Sequence, residues 1–144
     1  MDAPAQTIRV SVSDSPIDAA ALLNEVGRAD SGATVLFLGT VRDHSEGKEG
    51  VTHLEYEVYP EMVEEKIGEI VNEAAAHWPV FAVAVEHRSG EVKLGGTSVA
   101  VAVSTAHRAD AFESARFIMD ELKKRAPIWK KEFWPGGAEW SQGS

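Results

Sequence analysis

Hydrophobic positions along this chain recur with two periods, and the points where the period changes mark its elements. Ser15-Pro16-Ile17-Asp18 reads as a helix start, with Ser as N-cap, Pro at the first helical position and an acid at the third. Ile17, Ala20, Ala21, Leu23 and Val26 then form one apolar face as far as about Ala29. Ala33 to Val41, ATVLFLGTV, is an apolar, β-branched run that predicts a buried strand with Gly39 near its end. Residues 42–50, RDHSEGKEG, are polar with two Gly and predict a loop free to move.

From Thr52 to Val58 the period is two. Thr52, Leu54, Tyr56 and Val58 share one face, and His53, Glu55 and Glu57 the other, as in a half-exposed strand. Pro60 opens a helix with Val63, Ile67, Ile70, Val71 and Ala74 at helical spacing, ending before Pro79. Phe81, Val83 and Val85 alternate in a further strand. Glu91 to Leu94 is a short piece between glycines, and Thr97 to Thr105 a long strand with VAVAV at its centre. A last helix runs from about Ala109 to Arg125, burying Ala111, Ala115, Ile118 and Leu122; Ala126, before Pro127, is biased away from helix. The order αββαβββα with short late links predicts an α+β fold with a mixed, mostly antiparallel sheet and flanking helices.

Composition narrows the chemistry. A length of 144 residues predicts one domain over 1–144, and 44% hydrophobic content with four Trp is enough for a core. No apolar run reaches the roughly 18 residues of a membrane span. The opening MDAPAQTIRV lacks a basic region followed by an apolar core, so a cytoplasmic location is the expectation. The absence of cysteine removes thiolate nucleophiles, disulfides and Cys-ligated metals. A net charge of -9 argues against broad nucleic-acid binding, which needs a basic face.

Against that acidity, Leu122 to Lys131, LKKRAPIWKK, holds five of the fourteen Lys and Arg residues and no acid. Such a segment builds a local field for a small anion; the plainer alternative is a solvated helix end with basic residues at the negative pole. Pro127, Ile128 and Trp129 interrupt the charges, so the segment reads as a packed turn that presents lysines. Arg42 follows a strand, and so does His107-Arg108, just before the last helix; both are placed for ligand contact, or else for exposure and capping. His87-Arg88 leads into a tight turn and reads as structural. Lys123 lies one turn after Met119, and Lys130 follows the Pro127 bend and can fold back towards it. Two ammonium groups held close depress each other's pKa, which would equip a lysine as base or nucleophile. The histidines are scattered without a metal-binding motif, so neither metal nor cofactor is expected.

Taken in order, GATVLFLGTVRDH, LEYEVYPEM, HRSGEVKLGG, VSTAHRADAF and FIMDELKKRAPIWKKE resemble the large, catalytic subunit of molybdopterin synthase over about residues 31–140. The resemblance implies an α/β-hammerhead fold and a sulfurtransferase. In that family two sulfurs pass from the C-terminal Gly-Gly thiocarboxylate of a small ubiquitin-like sulfur carrier to cyclic pyranopterin monophosphate. The product is the dithiolene of molybdopterin, in molybdenum cofactor biosynthesis. It also implies a homodimer with one carrier at each end, a heterotetramer. A chain without cysteine fits a reaction in which a partner carries the sulfur.

By the same resemblance, Lys123 and Lys130 are the active-site lysines. Thr40, Val41 and Arg42 belong to the substrate pocket, with His107 and Arg108 serving it from the neighbouring subunit. Lys131 and Glu132 continue the binding segment, and Phe37 and Met119 fall on apolar pocket positions. Two other readings stay open on the residues alone: a non-catalytic adaptor that docks a ubiquitin-like protein, and a regulatory domain that binds a small phosphorylated ligand.

Overall fold

A computed structural model describes residues 6–143; Met1–Ala5, the start of the segment read for a leader, and Ser144 lie outside the described residues. In chain order the elements are β1 (Thr7–Ser13), α1 (Ala19–Val26), β2 (Ala33–Thr40), β3 (His44–Ser45), β4 (Lys48–Glu49), β5 (His53–Val58) and α2 (Pro60–His77). They continue as β6 (Val80–Arg88), β7 (Gly90–Lys93), β8 (Thr97–Thr105), α3 (Arg108–Arg125), β9 (Ile128–Trp134) and β10 (Gly137–Gln142). One sheet has the order β1-β6-β8-β2, with β1 parallel to β6 and the other pairs antiparallel. A second, β10-β9-β5-β7, is antiparallel throughout, and β3 and β4 form a small hairpin. The chain is therefore α+β with mixed, mostly antiparallel pairing, as the pattern predicts. No helix among the described residues is long and apolar enough to cross a membrane.

The central strands sort their side chains by size. Val83 and Val85 of β6, with Val99, Val101 and Val103 of β8, face the larger core, where Ile67, Ile70, Ile118 and Leu122 of α2 and α3 are fully buried. Ala82, Ala84, Ala100 and Ala102 face the other way, onto Leu22 and Val26 of α1. Successive strand residues point to opposite faces, so the VAVAV run makes one thick side for two helices and one thin side that lets α1 approach closely. Each fully buried Val, Leu or Ile contributes about 1.5–3 kcal/mol.

Several features depart from the expectations. α1 begins at Ala19, not Pro16, because the Asp18 carboxylate takes the N-cap and accepts from the Ala21 N–H at 3.1 Å. Ile17 then packs against the cluster that holds Leu22, a hydrophobic staple, and the buried face is Leu22 and Val26 rather than Leu23. β2 is an edge strand rather than a buried one, with Phe37 and Leu38 exposed. Residues 42–50 contain the β3–β4 hairpin rather than an untethered loop. The segment after Pro127 is a strand of a sheet, not a turn, and β1 and β10 complete the two sheets at edges the pattern left unassigned.

Candidate active site

The basic segment divides at one corner. Lys123, Lys124 and Arg125 fill the last turn of α3, where the negative pole favours cations. Ala126 leaves the helix with φ -74° and ψ 133°, the extended state favoured before proline. β9 then runs back along β5, with Tyr56 opposite Lys130 and Leu54 opposite Glu132. Strand alternation puts Ile128, Lys130 and Glu132 on the inward face, apolar at the start and charged further along. On α3, Met119 and Lys123 lie one turn apart and point the same way.

These faces enclose a cavity of about 280 Å³. The end of β2 and the residues after it supply Phe37, Gly39, Thr40, Val41 and Arg42; α3 supplies Met119 and Lys123; β9 supplies Lys130 and Glu132. Leu54 and Tyr56 of β5, Ser98 and Val99 of β8, and His44 and Ser45 of β3 close the remaining walls. The β2 wall is pinned rather than loose. The β2–β8 register shifts at Gly39/Thr40, Ser98 Oγ donates to the Gly39 carbonyl at 3.2 Å, and Val41 exchanges backbone hydrogen bonds with Gly95 and Gly96 at 2.8 and 2.9 Å. Val41 is thereby buried while Arg42 projects beyond it, exposed at the rim.

Charge in the cavity is strongly one-sided. Burial pushes the Lys130 ammonium below its ordinary pKa, the positive charges of Lys123, Lys48 and Arg42 push it further, and only Glu132 opposes them. For Glu132, burial alone would raise the carboxyl. Hydrogen bonds from Ser45 and Lys48, together with the Lys130 charge, outweigh it and hold the group below the usual range. Burial raises the Tyr56 phenol. A chain of net charge -9 thus carries, at one spot, a cationic recess able to hold a small anion beside a lysine held below its ordinary pKa.

Of the predicted site residues, Phe37, Thr40, Val41, Arg42, Met119, Lys123, Lys130 and Glu132 are brought together here. Lys124 is exposed and lines no part of the cavity. Lys131 does not join them: it sits on the opposite face of β9, its Nζ 5.2 Å from the Phe133 ring centre and 5.5 Å from that of Trp140. His107 and Arg108 also stand apart. They begin α3 while Lys123 ends it, about 22 Å along the axis at the usual rise per residue, and line none of this chain's cavity. His87 and Arg88 are structural, as read: His87 is buried, and Arg88 donates to the carbonyls of Asp14 and Glu91. Tyr56, Ser98, His44, Ser45 and Lys48 were not singled out from sequence. Alternation put Tyr56 on the inward face of its strand, but only the pairing of β5 with β9 reveals that the face opens on a cavity.

The family model described as MoaE protein matches residues 12–125. The molybdopterin synthase catalytic subunit of Halalkalibacterium halodurans is 39% identical over 132 residues, 92% of this chain and 84% of that protein. The subunit of that name from Escherichia coli is 49% identical over 113 residues, 78% of this chain and 75% of that protein. The crystal structure of molybdopterin synthase from Staphylococcus aureus superposes with a TM-score of 0.85 at 32% identity, covering 91% of this chain and 95% of that one.

Proposed function

The chain belongs to the MoaE protein family, and on that premise we propose that it is the catalytic subunit of a molybdopterin synthase, acting as a sulfurtransferase. Its substrate is cyclic pyranopterin monophosphate. Its partner is a small ubiquitin-like subunit that delivers sulfur as a C-terminal Gly-Gly thiocarboxylate, and two transfers make the dithiolene. The observation that carries this reading is the convergence of Lys123 and Lys130, from a helix end and a strand, on one cavity with Arg42 at its rim.

The chemistry follows from the charges. Substrate phosphate and thiocarboxylate are both anions, and charge-assisted contacts to Arg42 and the lysines would draw them into one recess and orient them. A glycine tail has no side chains, so it can thread a narrow mouth. Lys123 assists attack by the thiocarboxylate sulfur through proton transfer; alternatively, once that sulfur is bonded to the substrate, the neutral Lys123 amine adds to the carrier's terminal carbonyl, the carbonyl C–S bond breaks so that the sulfur leaves with the substrate, and water hydrolyses the resulting amide to free the carrier. Lys130, with its lowered pKa, gives up or shares a proton near neutrality more readily than an ordinary lysine. Thr40, Val41, Phe37 and Met119 shape the wall, and Glu132 balances the cations.

His107 and Arg108 serve the cavity of a second copy in a homodimer, which with one carrier per copy makes a heterotetramer. Support comes from the surface beside the cavity. Exposed Phe37 and Phe112 border an apolar groove between β2 and α3, next to a sheet edge that is unpaired among the described residues, the kind of patch that another subunit covers. We place the whole of residues 1–144 in a single cytoplasmic domain.

Mixing the purified chain with thiocarboxylated carrier and the cyclic phosphate, then assaying dithiolene, tests the proposal. Product formation that is lost in Lys123→Ala while carrier binding persists is the expected result. Carrier binding without product, and indifference to Lys123→Ala, would instead identify an adaptor.

A further inference from the structure

We propose that Lys48 is a positioning residue for the cavity: with Ser45 it holds the Glu132 carboxylate on the β3–β4 hairpin and so keeps that carboxylate from closing an ion pair with Lys130. Both oxygens of Glu132 are occupied. Ser45 Oγ donates to Oε2 at 2.8 Å and Lys48 Nζ to Oε1 at 3.2 Å. Lys48 is itself held, 3.4 Å from the Glu139 carboxylate of β10 and 5.5 Å from the Trp134 ring centre, with its side chain only 13% exposed. Lys130 has no ion-pair partner within 4 Å among the described residues. Yet it stands two positions before Glu132 on the same strand face, within reach of a carboxylate that was free to turn.

The groups facing Lys130 are few. Lys123 comes from α3, Arg42 from beyond β2 and Lys48 from β4; the His44 imidazole lines the β3 side, the Tyr56 phenol stands opposite on β5, and Glu132 shares β9. β8 contributes only Ser98 and Val99. Removing Lys48 has two effects of the same sign. A repelling cation disappears, and Glu132 is released towards Lys130; both make Lys130 hold its proton more tightly. A lysine locked in an ion pair is poorly suited to proton transfer or attack, so the hairpin keeps the working group available. The part Lys130 plays in the reaction rests on the function proposed above; the clamp on Glu132 does not.

The test is an NMR titration of the full chain carrying ε-¹³C-labelled lysine, with the Lys130 signal assigned by its loss in Lys130→Arg. In Lys48→Met the Lys130 midpoint should rise by about half a pH unit or more, and Lys48→Arg should restore it. In a Glu132→Gln background the same Lys48→Met change should shift Lys130 less, because only the direct repulsion between the two cations is left to lose. Ser45→Ala, which frees one carboxylate oxygen without altering charge or backbone, should also raise the midpoint, and it carries the decision if Lys48→Met does not fold. An unmoved Lys130 midpoint, or an equal shift with and without the Glu132 carboxylate, overturns the proposal. A raised midpoint with an unchanged pH–rate profile in the carrier-dependent assay upholds the clamp and counts against a role for Lys130 in the reaction.

Discussion

Tyr56 meets His87 edge to face, with ring centres 5.0 Å apart and planes at 84°, beneath the cavity floor. The His87 Nδ1–H donates to the Arg88 carbonyl at 2.7 Å, which fixes the neutral tautomer. Burial drives the pKa of this imidazole down to about 4, against the opposing pull of that hydrogen bond. The unfolded chain therefore binds a proton at His87 below about pH 6.5 that the folded chain refuses until about pH 4. Stability is full above the upper value and falls as pH drops through this window, by at most about 3 kcal/mol. Urea melts at pH 7.5 and 4.5 should show the loss, and His87→Asn, which keeps a donor but cannot titrate, should flatten it.

Neighbouring lysines on α3 should behave unequally. Lys123 lines the cavity and Lys124 is exposed outside it. Lys123→Ala should lower dithiolene formation by about 10²–10⁴-fold, the range for a lost acid–base group. Lys124→Ala should stay within about twofold, since exposed charges contribute little. Single-turnover rates with saturating carrier measure both.

Lys130 and Lys131 form a second unequal pair, divided by the pleat of β9. Lys130→Ala should cripple turnover, whereas Lys131→Ala should leave it nearly intact and cost about 0.5–1 kcal/mol of stability through lost contact with Phe133 and Trp140. Parallel activity assays and denaturant melts separate the two effects.

Gly39 marks a close approach of the cavity wall to β8. A Cβ built there would lie 2.7 Å from Val99 Cγ1. Val99 is buried and β-branched, so it has little freedom to move away. Gly39→Ala should destabilise the chain by about 1–3 kcal/mol and shift Thr40 and Arg42, raising KM for the cyclic phosphate more than it lowers kcat.

The central frame was legible because its rules are local. VAVAV alternation, the Pro60 helix start and the Ala126-Pro127 stop each depend on a few adjacent residues. Lys123 and Lys130 could be named because they flank that stop. The hairpin around Ser45 and Lys48 could not be read, because what makes it more than a loop is Glu132, 87 and 84 residues away. β2 read as buried because its composition is apolar, but an edge position follows from strand order, which periodicity does not encode. Lys131 enters the expected site through the resemblance, as a continuation of the segment after Lys130, although in a strand adjacent residues face opposite ways. His107 and Arg108 lie at the far end of the helix that carries Lys123, a separation fixed by helix rise and evident once the helix was placed.

The corner at Ala126-Pro127 acts as a spacer of fixed parity. One residue inserted after Pro127, with the pairing to β5 kept, would bring Trp129 and Lys131 to the places now held by Lys130 and Glu132. An indole would replace the inward ammonium and a cation would replace the carboxylate. The count of residues between helix and strand therefore decides which side chains face the cavity, and drift in the length of this connection is a failure that no single side-chain replacement repairs.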